Sequence, residues 1–199
     1  MSLSRAPRAA LTTALFAAGA LTLSACTDGG VSGGGSNTNF VTDSGGISTV
    51  AKADRKATNK IAGETLEGKP LDVADYKGKV VVLNAWGSWC APCRAEAPHL
   101  VKVAKDLKPK GVEFIGLNTR DDSKGLAIAF EKDYGIEFPS LYDPKGELIV
   151  EGFPKGTLSL QAIPSTVVLD RDGKIAARAL MALNEKQLRK MIDPLIAEK

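Results

Sequence analysis

Two cysteines three residues apart, Cys90 and Cys93, are the side chains of this chain best suited to covalent chemistry. They stand in Trp86-Gly87-Ser88-Trp89-Cys90-Ala91-Pro92-Cys93-Arg94-Ala95-Glu96, just after the apolar run Val80-Val81-Val82-Leu83. That run reads as a buried strand and the residues after Cys93 as a helix. A Cys-x-x-Cys pair at such a junction points to thiol–disulfide exchange. Residues three apart in a first helical turn share a face, with Cβ atoms roughly 5–6 Å apart. A disulfide needs Cα atoms about 4.4–6.8 Å apart, so the pair can open and close with little backbone movement. Cys90, at the helix mouth, faces unpaired N–H groups and the positive end of the helix dipole, and both favour a thiolate. Its pKa is expected to fall from about 8.5 into the range of roughly 3.5–7.5. The thiolate is the attacking species, so Cys90 is the expected nucleophile. Cys93, one turn in, is expected to be more buried and to resolve the mixed disulfide. Pro92 lacks an N–H, which costs nothing in a first turn, and it fixes a helical φ.

Competing uses of the pair are weaker. A structural zinc site needs four ligands, and beyond the pair the chain offers only Cys26 and one histidine, His99. His99 follows Pro98 on the same helix and reads as a solvated or packed residue. No metal site and no cofactor are expected. A purely structural bridge is disfavoured, because closing so short a loop stabilises little. Peroxide reduction would call for a Thr three residues before the reactive Cys, and position 87 is Gly.

The elements that must position the pair follow from periodicity and punctuation. Residues 61–76 mix strand and turn signals and predict a short hairpin or edge element. Val80–Ala85 predicts the first buried strand. A helix is expected from Cys93 to about Leu107, bent at Pro98 and stopped by Lys108-Pro109-Lys110-Gly111. Val112–Asn118 predicts a second strand, and Asp121-Asp122-Ser123 offers N-caps for a helix to about Tyr134, ended by Gly135. A short extended piece at 138–142 and a short helix at 147–153 follow. Thr166–Leu169, the turn Asp170-Arg171-Asp172-Gly173 and Lys174–Ala179 predict a β-hairpin. Asn184 caps a last helix to about Ala197, bent near Pro194. The order β-α-β-α, hairpin, α predicts an α/β fold with a mixed central sheet and helices on both faces.

The N-terminus carries Arg5 and Arg8, no acids, and an apolar run from Ala9 to Leu23, a signal-peptide pattern over residues 1–25. Leu23-Ser24-Ala25-Cys26 resembles the bacterial lipoprotein box, in which the Cys sulfur is lipidated after cleavage. Several acyl chains together anchor stably, where one alone is marginal. Residues 26–57 are then expected to comprise the lipidated Cys26 and a flexible tether. The tether is Gly/Ser/Thr/Asn-rich over 27–50, with an r.m.s. span of roughly 30 Å. Residues 58–199 are expected to form one domain, and a monomer. The setting is extracytoplasmic, anchored to the outer face of the cell membrane, where disulfides persist. The chain carries 26 Lys+Arg against 23 Asp+Glu, or 24 against 23 without Arg5 and Arg8. That balance gives no electrostatic case for nucleic acid.

The layout with Cys90-Ala91-Pro92-Cys93 at a helix mouth resembles the thioredoxin fold. Over residues 58–199 it is similar to the TlpA/ResA branch of membrane-tethered thiol–disulfide oxidoreductases. Trp86-Gly-Ser-Trp89-Cys90 resembles that branch's lead-in. Glu96 matches a Glu of its reductive members, and Ile163-Pro164-Ser165-Thr166 resembles the thioredoxin cis-proline loop. Residues 138–161 correspond to the branch's insertion.

The resemblance implies a set of roles. Cys90, Cys93, Glu96 and Pro164 would be catalytic. Trp89, Ala91, Pro92 and Ile163 would meet substrate, and Pro164 would be cis. From residue type alone, Glu96 reads as a solvent-facing helix residue. The resemblance instead implies burial, a raised pKa and a proton-transfer role. Where cytosolic thioredoxin carries a buried Asp, this chain has Asn84, which cannot hold a proton.

The implied function is reduction of disulfides in substrate proteins with Cys pairs, apocytochrome c among them. A membrane electron donor of CcdA/DsbD type would re-reduce the enzyme. One alternative reverses the direction, making the protein a disulfide donor to secreted thiols. Another is a non-catalytic copper-binding lipoprotein, but copper carriers of this fold use Cys-x-x-x-Cys with a distant His.

Overall fold

The computed structural model describes residues 38–198. The signal peptide expected over 1–25, and Cys26, lie outside the described residues. Among the described residues, nine strands and four α-helices follow in chain order. They are β1 (Val41–Thr42), β2 (Ile47–Thr49), the hairpin β3 (Ala62–Glu64) and β4 (Pro70–Asp72), β5 (Val80–Trp86), α1 (Ala91–Leu107), β6 (Val112–Thr119) and α2 (Lys124–Tyr134). Then come β7 (Ser140–Asp143), α3 (Glu147–Glu151), β8 (Ser165–Leu169), β9 (Ile175–Ala179) and α4 (Glu185–Ala197).

Seven strands make one mixed sheet in the order β1-β2-β9-β8-β5-β6-β7. β5 lies inside it, parallel to β6 and antiparallel to β8, and all seven of its residues are buried. Its β-branched apolar residues suit a strand covered on both faces. Val80 and Val82 pack with Leu100 and Val103 of α1 and Leu188 and Ile192 of α4. Val81 and Leu83 pack on the other face with Ile61, Val73, Ile149 and Phe153. Each such side chain contributes about 1.5–3 kcal/mol on burial. β5 is thereby a rigid rail, and its C-terminal end delivers the chain to Cys90.

The hairpin β8–β9 turns at Asp170, whose Oδ1 accepts the N–H groups of Asp172 and Lys174 at 3.0 and 2.9 Å. α4 starts on a full capping box, Asn184 and Gln187 each bonding the other's backbone N–H at 3.0 Å. α1 runs through Pro98 to Leu107. No helix among the described residues is long and apolar enough to cross a membrane.

The expected start of the domain at 58 is corrected. Residues 41–49, expected to be tether, form β1 and β2 and extend the sheet, with Ile47 opposite Ala179. Asp43 closes the turn between them, its Oδ1 accepting from Gly45 and Ile47 N–H at 2.8 and 3.0 Å. Strands of two and three residues are too short for alternation to show, yet Ile47 and Val50 are buried. Arg55 ties this entry segment to the chain's other end, pairing with Asp170 at 3.1 Å and Glu198 at 2.7 Å.

Candidate active site

β5 ends at Trp86, and after four intervening residues α1 begins at Ala91. Cys90 is its N-cap in extended backbone, and Pro92 falls in the first turn. Cys90 and Cys93 are joined in a disulfide with Cα atoms 5.3 Å apart. The Cys93 N–H lies 3.2 Å from Cys90 Sγ, so the helix mouth points a backbone donor at that sulfur. The expectation that Cys90 is the more open of the two is corrected: both residues are only 3 % exposed. The Ile163 carbonyl oxygen covers Cys90, 3.8 Å from its Sγ. Trp86, Ala97 and Phe130 close in from below, with Phe130 stacked on Trp86 at 4.6 Å. Ala91 and Pro92 are exposed beside the bond.

Pro164 is buried, and the Ile163–Pro164 bond is cis. The loop that carries it enters β8, the antiparallel neighbour of β5, and so returns to the disulfide from the sheet side.

Glu96 lies three residues after Cys93, hence on the same face of α1. It is 1 % exposed. Leu183 N–H donates to Oε1 at 2.9 Å and Asn84 Nδ2 donates to Oε2 at 3.1 Å. Burial pushes its carboxyl up to about 7, against the lowering effect of these two donors. Asn84 also donates to Thr166 Oγ1 at 3.1 Å, locking its amide between β5, α1 and β8. The reading of Glu96 as a solvated helix residue is therefore overturned. Asn84 of β5 and Leu183, just before α4, reach it inside the fold, and these two donors satisfy both oxygens.

Trp89 is 42 % exposed, and its indole N–H donates to the Thr119 carbonyl at 3.2 Å. A Cβ at position 87 would collide with that Nε1, so Gly87 leaves the space the indole occupies.

Sequence reasoning missed three participants. Asp121, expected as a helix cap, is instead buried beneath the lead-in loop. It accepts Ser88 N–H at 2.9 Å, the Ser88 hydroxyl, and Asn118 Nδ2 at 2.6 Å. Ser123 takes the N-cap position of α2. Arg120 stacks over the Trp89 ring at 4.6 Å and donates to the Leu160 carbonyl at 2.9 Å. Glu131, on α2, is buried with Oε1 unpartnered, and burial pushes it up to about 7. Only the Ser in Trp-Gly-Ser-Trp hinted at the first, because its partner lies 33 residues on.

A hollow of about 580 Å³, lined by Glu67, Lys69, Tyr76, Glu131 and Phe138 among others, holds neither cysteine. The disulfide sits instead at a rim formed by Trp89, Ala91 and Pro92, which reach solvent, and Ile163, which packs partly buried against it. The arrangement can pass two electrons between a dithiol and a disulfide, with a carboxyl of pKa about 7 on the face of Cys93.

A family model described as Redoxin matches residues 52–192. The chain is 37% identical over 124 residues to the thiol-disulfide oxidoreductase ResA of Bacillus anthracis, covering 62% of this chain and 67% of that one. ResA of Bacillus subtilis (strain 168) is 30% identical over 125 residues, covering 63% and 66%. A DsbF homologue from Corynebacterium diphtheriae superposes with TM-score 0.70 at 39% identity, covering 75% of this chain and 93% of that one. A secreted thiol-disulfide isomerase from Corynebacterium glutamicum does so with TM-score 0.72 at 34% identity, covering 78% and 95%.

Proposed function

This chain belongs to the Redoxin family and is a thiol–disulfide oxidoreductase of the ResA/TlpA kind, and on that premise we propose that it reduces disulfides of substrate proteins outside the cytoplasm. Reduced Cys90, its thiolate favoured by the helix mouth, attacks one sulfur of a substrate disulfide. A mixed disulfide forms and the other substrate sulfur leaves as a thiolate, which takes a proton from solvent. Cys93 then gives its proton to the Glu96 carboxylate and attacks Cys90 Sγ. The Cys90–Cys93 disulfide forms, the second substrate thiolate leaves, and the substrate has gained two electrons. A membrane dithiol donor of CcdA/DsbD type returns two electrons, and Glu96 returns the proton to Cys93.

The observation that carries this reading is the buried Glu96, both oxygens hydrogen-bonded, one helical turn from Cys93. Apocytochrome c fits the substrate class, since its paired thiols must be reduced before haem attachment. Attachment through a lipidated Cys26 would keep the domain at the membrane surface. Reduction of insulin by the dithiothreitol-recycled domain tests the activity, and its absence would contradict the reading. A second reading reverses the direction, so that the same pair donates disulfides to secreted thiols; likeness to a protein named a secreted thiol-disulfide isomerase supports the extracytoplasmic setting that both readings share.

A further inference from the structure

We propose that Arg120 is a positioning residue that clamps the two walls of the substrate rim, Trp89 on one side and the 160–163 segment on the other. The proposal deepens the exchange activity above and rests on it. Arg120 follows β6 with a φ of 56°, in the left-handed region that a residue with a Cβ disfavours. Such backbone persists where surrounding contacts over-determine it. Here its guanidinium lies 4.6 Å over the Trp89 ring, and Nη1 donates to the Leu160 carbonyl at 2.9 Å. The preceding residue, Thr119, accepts the indole N–H at 3.2 Å. Two consecutive residues thus hold Trp89 by its edge and by its face.

Both ends of the clamp lead directly to the sulfur. Trp89 precedes Cys90, and Leu160 lies three residues before Ile163, whose carbonyl oxygen is 3.8 Å from Cys90 Sγ. A substrate segment reaching Cys90 must fit between these walls. Holding them at a fixed separation beforehand removes part of the ordering cost of binding. The planar guanidinium suits the task, since it stacks on an aromatic face while one N–H reaches a carbonyl.

Arg120→Gly separates a clamp from a folding role. Glycine accepts this φ freely, so thermal stability should hold or rise. KM for a disulfide-bonded peptide, with dithiothreitol as recycling reductant, should rise roughly fivefold while kcat changes less than about twofold. Arg120→Lys, which keeps the charge without the planar fork, should fall between. In protein labelled with 5-fluorotryptophan, the ¹⁹F resonance of Trp89 should move toward that of a free indole while that of Trp86 stays. An unchanged KM would overturn the proposal, as would an unmoved Trp89 resonance. Should the unsubstituted protein reduce no disulfide, the exchange reading would fail, and the clamp would then stand or fall on the resonance alone.

Discussion

Glu96 and Glu131 are both buried helical glutamates, and burial pushes both carboxyls up to about 7. Their surroundings differ in kind. Glu96 is three residues from Cys93, with one oxygen held by Leu183 N–H and the other by Asn84. Glu131 lies on α2 next to Phe130, which stacks on Trp86, and its Oε1 has no partner. Desolvation alone raises a carboxyl's pKa, so a raised value does not identify a proton-transfer group. What marks Glu96 is its place on the helical face of a sulfur and the donors that fix it there.

The largest effect should come from removing the centre to which both acids are referred. Cys90→Ser should abolish insulin reduction, and undiminished turnover would remove any chemical meaning from the comparison. Next, Glu96→Gln should lower kcat/KM by about 100-fold and erase a limb that rises through pH 7, because only the ionised carboxyl accepts the Cys93 proton. Glu131→Gln should keep that limb. A limb lost in both variants, or in neither, would break the distinction.

Smaller effects sharpen it. Gly116→Ala disturbs the packing of Trp86 on Ser140: its Cβ would collide with Ser140 Oγ and lie 2.7 Å from Trp86 Nε1 and 2.9 Å from Ser140 Cβ. Urea unfolding should show a loss of about 1–3 kcal/mol with the pH 7 limb intact. Stability against pH is the subtlest test. Glu96 has a folded pKa raised from 4.5 to about 7. The folded protein therefore holds the proton more tightly than the unfolded chain, and stability falls as pH climbs from about 4.5 to about 7. Glu96→Gln should remove roughly 3 kcal/mol of that fall. Glu131→Gln should act in the same direction.

Much of this molecule was legible in its residues, for identifiable reasons. Val80–Leu83 announces β5 because an unbroken apolar run must be buried on both faces. The Asp170–Gly173 turn and the Asn184 cap announce their elements because those side chains bond their own local backbone. The rest depends on distant partners. Glu96 looks solvated until Leu183, 87 residues later, and Asn84 meet it inside the fold, and only resemblance to a family pointed the other way. Asp121 looks like a cap until Ser88, 33 residues earlier, arrives beside it. The equal shielding of Cys90 and Cys93 depends on the Ile163 carbonyl, which the chain supplies 73 residues later. β1 and β2 are too short to carry a period at all.

The direction of electron flow is the claim on which the proposed function rests, and the reduction potential of the Cys90/Cys93 couple tests it most directly. Equilibration with defined dithiothreitol or glutathione ratios, read by mass after alkylation, gives the value. A disulfide reductase should give a value near the thioredoxin end, about −270 mV, and a value close to about −120 mV, as in a strong oxidant, would contradict the reductive role.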